Sequence, residues 1–178
     1  MNAPVLVLPG YADSGPEHWQ SRWQAADPSC QRVVQRDWLN PALAEWREML
    51  DRAIAACDEP PVLAAHSLGC ALVAHHVAAG GRPVKAALLV APADVEMVAM
   101  VLEAVKSFIP LPLVRMPFPS IVVASTDDPY VSTERASAFA RAWGSRLVTI
   151  EGAGHINTDS GYGEWPEGRR LLDELRAG

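Results

Sequence analysis

The chain is poor in cysteine: three occur in 178 residues, and Cys30, Cys57 and Cys70 form neither a close pair nor a metal-ligand spacing. An odd, unpaired set suits a reducing compartment better than a disulfide scaffold. The three read as small buried apolar side chains, and neither a metal nor another cofactor is expected. Long apolar runs are missing too. None approaches the roughly 18 residues a membrane-spanning helix needs. The N-terminus also lacks the basic start, apolar stretch and cleavage site of a signal peptide, so the expectation is a cytoplasmic protein with no membrane partner. Basic charge is in deficit, with 15 Lys plus Arg against 21 Asp plus Glu and a formal charge of −6. The basic residues are scattered, which argues against a grip on a phosphate backbone and so against nucleic acid. Internal repeats, low-complexity tracts and interdomain linkers are absent.

What is present is ordinary globular material, 49% apolar and 20% charged, at a length that fits one domain spanning residues 1–178. Short apolar runs bounded by turn residues alternate with stretches of helical periodicity, the mark of βαβ units and a parallel sheet. Runs at 5–8, 30–35, 62–65, 84–90, 120–124 and 147–150 read as six strands. Helices are expected over 17–26, 68–79, 133–143 and 164–176. Two more should start at Asn40, as an N-cap before Pro41, and at Asp94, with Val95, Val98, Leu102 and Val105 on one face. The 68–79 segment is apolar nearly all round and should be buried nearly all round. Pro110, Pro112, Pro117 and Pro119 break regular structure, and residues 91–119 read as a minimal cap over an open site or as a plain crossover. The class is doubly wound α/β, a three-layer sandwich of about six mostly parallel strands with helices on both faces. In such sheets ligands sit beyond the carboxyl ends of the strands.

Chemically capable residues fall at those ends. Ala65-His66-Ser67-Leu68-Gly69 lies between the third strand and a long helix, with small residues two before and two after the serine. A sharp strand-to-helix turn needs that, because larger side chains would strike neighbouring backbone. The turn pushes the serine oxygen out at the top of the sheet and aims the helix N-terminus at it. Serine alone is a weak nucleophile and needs a base with a group to orient it. His155 follows the sixth strand behind Gly152-Ala153-Gly154, and Asp127-Asp128-Pro129 follows the fifth. Position alone admits either aspartate as the acid, and the choice of Asp128 comes from the family resemblance below. Asp127 then stabilises the loop, unless the two exchange roles. Backbone amides of Leu68 and, from the glycine-containing loop after the first strand, Tyr11 are the candidate oxyanion donors. That loop has neither the lysine of a phosphate-binding loop nor dinucleotide spacing. Gly10, His18 and Trp19 are candidate pocket-lining residues, although a Trp at a helix start also suits simple packing. His66 should support the turn rather than serve as base, and His75 and His76 point in different directions and suit no shared metal.

With these residues in place the chain resembles the α/β-hydrolase superfamily. More closely, it is similar to the small single-domain serine hydrolases that include retinoblastoma-binding protein nine. The likeness rests on Leu8-Pro9-Gly10 with Glu17-His18-Trp19, on Gln35-Arg36-Asp37-Trp38 with Pro41 and Trp46, and on the serine turn. It extends through the 124–131 segment and Gly154-His155-Ile156-Asn157. The resemblance implies an α/β-hydrolase-like fold, a Ser67-Asp128-His155 triad, and carboxylesterase-like activity on short acyl esters. Its implied partner is a small-molecule acyl substrate. The Leu-x-Cys-x-Glu partner motif is not matched, since Leu68-Gly69-Cys70-Ala71-Leu72 ends in leucine, and no protein partner is inferred. Amidase, thioesterase and acyltransferase activities would share the same residues, and a non-catalytic binding scaffold is the rival class. A histidine base should make the rate fall as pH drops through roughly 6.5.

Overall fold

A computed structural model of the chain describes residues 3–178. Its centre is a six-stranded, all-parallel sheet in the order β2-β1-β3-β4-β5-β6. The strands are β1 (Val5–Leu8), β2 (Cys30–Arg32), β3 (Val62–His66), β4 (Ala86–Val90), β5 (Ser120–Ser125) and β6 (Arg146–Ile150). Side chains alternate between two apolar layers as the pleat requires. Leu6, Leu8, Leu63, Ala65, Ala87, Leu89, Val122 and Ala124 enter one layer. Val5, Val7, Val62, Ala64, Ala86, Leu88, Ile121 and Val123 enter the other. The central strands are apolar on both faces, as a sheet covered on both sides demands.

The first layer is closed by α2 (Leu43–Ala55), α3 (Leu68–Ala78) and α5 (Thr133–Trp143), the second by α1 (Trp19–Ala26) and α6 (Pro166–Ala177). Leu68 to Ala74 and His76 of α3 are all buried, in keeping with its unbroken apolar surface. It sits so close to β1 that a Cβ on Gly69 would lie 2.3 Å from the Leu8 carbonyl oxygen. Only a residue without a side chain fits there.

Several boundaries differ from the sequence reading. The helix expected from Asn40 starts at Leu43, because Asn40 donates its side chain to Asp37 while Asp37 also accepts the Leu39 and Asn40 amides. That local turn takes up the capping residue, and Ser107 Oγ accepts the Leu43 amide instead. Helix α1 starts at Trp19 rather than 17 because His18 Nδ1 accepts the Gln20 amide as an N-cap. The single helix expected from Asp94 is two pieces, α4 (Val95–Val98) and a 3-10 turn at Glu103–Phe108. Asp94 makes no capping bond, since both its carboxylate oxygens accept from the Arg135 guanidinium at 2.6 and 3.0 Å. The second strand ends at Arg32 rather than 35.

Candidate active site

Ser67 stands in the turn from β3 to α3 with φ 55 and ψ −118, a left-handed conformation that a non-glycine residue holds only when its surroundings enforce it. The Ser67 amide donates to Val90 O and its carbonyl accepts the Cys70 amide, so the turn is tied to β4 and to the helix it opens. The hydroxyl is brought to 2.9 Å from His155 Nε2. His155 Nδ1 lies 2.9 and 3.0 Å from the two Asp128 carboxylate oxygens. The Asp128 side chain is wholly buried and that of His155 nearly so. Carboxylate, imidazole and hydroxyl thus form one hydrogen-bonded chain across residues 88 and 27 positions apart.

Asp127 is turned elsewhere. Its Oδ1 accepts from Ser125 Oγ and from the Gly154 amide, both at 2.7 Å, and these bonds hold its carboxyl below the usual range. Ser125 Oγ also accepts the Ala153 amide at 2.9 Å, and Thr126 Oγ1 the Gly152 amide at 3.0 Å. Three consecutive short side chains at the end of β5 therefore clamp the loop carrying His155. That loop turns through left-handed backbone at Gly152, Gly154 and Ile156. The clamp escaped the sequence reading, although a run of short acceptors at a strand end is its visible signal.

The loop after β1 lies against the serine turn. A Cβ on Gly10 would lie 2.9 Å from Ser67 Cβ and 3.2 Å from the Leu68 amide nitrogen. Leu68 opens α3, where helix geometry supplies no partner for its amide. Within the loop the Ala12 amide donates to Trp38 O and the Asp13 amide to Gly10 O, with Ala12 and Asp13 both at φ 63. The Tyr11 amide lies outside that pattern. Below the loop, fully buried Gln20 donates to Leu8 O and Ala64 O at 3.0 Å and accepts from Ser14 Oγ at 2.7 Å. Arg32 donates to Asp13, to Ser14 O and to Ser21 Oγ. Neither Gln20 nor Arg32 carries a motif, and the sequence reading passed over both.

A cavity of about 540 Å³ opens over Ser67. Gly10 and His18 line it, as do Tyr11, His66, Leu68, Tyr130 and His155. Trp19 does not, contrary to expectation. It is fully buried against Trp23 and Trp165 and donates Nε1 to Ile156 O at 3.0 Å, since the first helical turn rotates it away from the cavity and beneath the histidine loop. The segment between β4 and β5 supplies an apolar wall of Val95, Val98, Val101, Leu102 and Val105, so the interrupted helix still presents its expected face. His18 is held neutral down to about 4, first by burial and then by Arg32 and His155. His75 and His76 bond to the main-chain oxygens of Phe108 and Arg82. Among the described residues no cluster of His, Cys, Asp and Glu suits a metal ion, and no helix is long and apolar enough to cross a membrane.

A serine hydroxyl hydrogen-bonded to a histidine thus stands at the carboxyl edge of a parallel sheet, and the serine hydrolase family profile matches residues 5–174. The chain belongs to the serine hydrolase family. It is 34% identical to a YdeN-like hydrolase from Pectobacterium atrosepticum, over 99% of this chain and 91% of that one, with a TM-score of 0.88. The ydeN gene product of B. subtilis is similar in fold at 21% identity, with a TM-score of 0.76 and coverage of 99% and 100%. A thermophilic esterase from Thermogutta terrifontis shares the fold at 14% identity and a TM-score of 0.69, over 99% and 91% of the two chains. A comparison with curated proteins gives no match. The sequence-based assignment to α/β hydrolases agrees with these findings, as does the three-layer parallel architecture of this serine hydrolase.

Proposed function

We propose that this serine hydrolase is a carboxylesterase acting on short acyl esters through Ser67, His155 and Asp128. The observation that carries the reading is the unbroken chain from Asp128 through His155 to the Ser67 hydroxyl, each link 2.9 to 3.0 Å long. In this mechanism His155 Nε2 takes the serine proton as Oγ attacks the ester carbonyl. Asp128 holds the proton on Nδ1 and stabilises the imidazolium. The carbonyl oxygen, now negative, accepts from the Leu68 and Tyr11 amides. His155 then returns its proton to the departing alcohol, and water repeats the sequence on the acyl-enzyme.

Two features favour a modest acyl group. The cavity is about 540 Å³, and its apolar wall comes from a cap of one short helix and one 3-10 turn. Val101, on that wall, is 88% exposed, so the wall runs directly into solvent. A fluorophosphonate probe should label the wild type and leave Ser67→Ala unlabelled. Across p-nitrophenyl esters, kcat/KM should peak at short acyl chains. Folded wild-type protein that resists the probe would overturn the catalytic reading in favour of a binding scaffold. Turnover of matched amides or thioesters exceeding that of esters would overturn the ester assignment alone.

A further inference from the structure

We infer that His66, the residue immediately before the nucleophile, is a positioning residue for the base; the inference rests on the serine hydrolase reading given above. Its ring lies beside that of His155, with centroids 4.7 Å apart, and its Nε2 is 2.9 Å from the His155 main-chain oxygen. A carbonyl only accepts, so Nε2 carries the ring proton and donates it. His66 is 5% exposed. Burial, followed by the neighbouring His155 and His18 imidazoles, keeps it neutral well below the ordinary histidine range, against the raising influence of the carbonyl bond.

The neutrality has a use. During turnover His155 becomes an imidazolium, and a protonated His66 would set a like charge 4.7 Å away, opposing proton uptake from the serine. A neutral ring avoids this and still spends its single proton on the loop. The groups facing His66 are consistent with that role. His18 packs against it edge-on at 4.8 Å, has Nδ1 committed to the Gln20 amide, and is itself neutral to about 4, while Trp19 lies 6.0 Å away. Tyr130 lies 4.6 Å from the His155 ring, giving the base a second aromatic neighbour.

The bond also joins two parts of the site that must keep a fixed separation. His66 and Ser67 are consecutive, whereas His155 comes from an irregular loop after β6. The clamp from Ser125, Thr126 and Asp127 reaches residues 152 to 154 and stops there. His66 is the side chain that fixes the carbonyl of residue 155 itself. The base is thereby referenced to the strand end that bears the nucleophile.

The test compares His66→Leu, His66→Asn and His66→Gln by kcat and KM on a short p-nitrophenyl ester, by fluorophosphonate labelling rate and by thermal midpoint. Glutamine can set an amide donor near the Nε2 position, asparagine only near Nδ1. Leucine and asparagine should lower kcat and labelling rate about tenfold to a hundredfold, as expected for a reacting group displaced by up to about 1 Å. KM should change less than about twofold, the pattern of an interaction that acts on the transition state. Glutamine should recover kcat to within about fivefold of wild type on the same argument. Equal losses in asparagine and glutamine, a loss confined to KM, or undiminished kcat in a folded leucine variant would each overturn the inference. Should leucine fail to fold, the asparagine and glutamine pair decides. A wild type inert to the probe would instead remove the reading on which the inference stands, and the inference with it.

Discussion

Replacing Gly10 by alanine tests how closely the loop after β1 must approach the nucleophile. The added Cβ would lie 2.9 Å from Ser67 Cβ and 3.2 Å from both His66 O and the Leu68 amide nitrogen. Carbon atoms rest at about 3.5 to 4.0 Å, so relief of the Ser67 contact alone requires the loop and the serine turn to separate by roughly 0.6 to 1.1 Å. Both sides resist. Gln20 and Arg32 hold the loop, and the strained Ser67 backbone is bonded to β4. A displacement of about 1 Å can cost on the order of a hundredfold in rate, and loss of one oxyanion donor costs about as much. The expected result is a kcat about a hundredfold lower with little change in KM. Overpacking of this kind costs about 1 to 3 kcal/mol, which lowers the thermal midpoint by roughly 2 to 12 °C at this chain length. Gly15→Ala is the internal control, because no atom lies within 4 Å of a Cβ there. Steady-state kinetics on a short p-nitrophenyl ester and calorimetry of the two variants provide the comparison. If Gly10→Ala keeps wild-type kcat, or loses no more than Gly15→Ala, the oxyanion loop is not where this reasoning puts it.

The two aspartates should separate sharply. Asp128→Asn should lower kcat by about four orders of magnitude through the wrong histidine tautomer, whereas Asp127→Asn, which keeps an acceptor for the Gly154 amide, should stay within about tenfold; comparable losses would contradict the assignment. Acid stability follows from His18, whose pKa falls from 6.5 in the unfolded chain to about 4 in the fold. Below pH 6.5 the unfolded state binds the extra proton, so stability is full above that value and declines toward pH 4 by up to about 3 kcal/mol, with buried His66 adding in the same direction. Urea unfolding at several pH values should show this decline, and His18→Asn, which retains an acceptor for the Gln20 amide, should flatten it. Arg135→Leu would leave the Asp94 carboxylate, 6% exposed, without its two-point partner. A loss of about 2 to 4 kcal/mol is expected by denaturant titration, and Asp94→Asn in the same background should recover part of it.

The geometry of the candidate site was far more legible than its supports. A serine, an acid and a histidine each fall just after a strand, and small residues flank the serine because the turn tolerates nothing larger there. Such steric demands are local and leave a mark in the residue types. The Asp94 region shows the opposite. Its apolar spacing predicts one continuous helix capped by Asp94, yet the helix stops after Val98, and Arg135, 41 positions away, takes the Asp94 carboxylate. The same spacing nevertheless delivers Val95, Val98, Leu102 and Val105 to the cavity wall. Trp19 was misplaced because the helix begins at Trp19 itself, two residues later than expected, and the turn of that first residue sets its ring against the core rather than the cavity.

By itself, the amino-acid sequence determined the alternation of strands and helices, the apolar character of both sheet faces, the sharp turn at Ser67 and the choice of residues able to act as nucleophile, base and acid. These follow from periodicity, side-chain volume and chemical type, which are properties of short segments. Tertiary structure alone decided that Asp128 and not Asp127 faces His155. It also decided that Gln20 and Arg32 hold the loop carrying Tyr11, and that His66 donates to the carbonyl of a residue 89 positions away. Each of those outcomes depends on which single atom lies within about 3 Å of another once the sheet has brought remote strand ends together, and no local pattern encodes that distance.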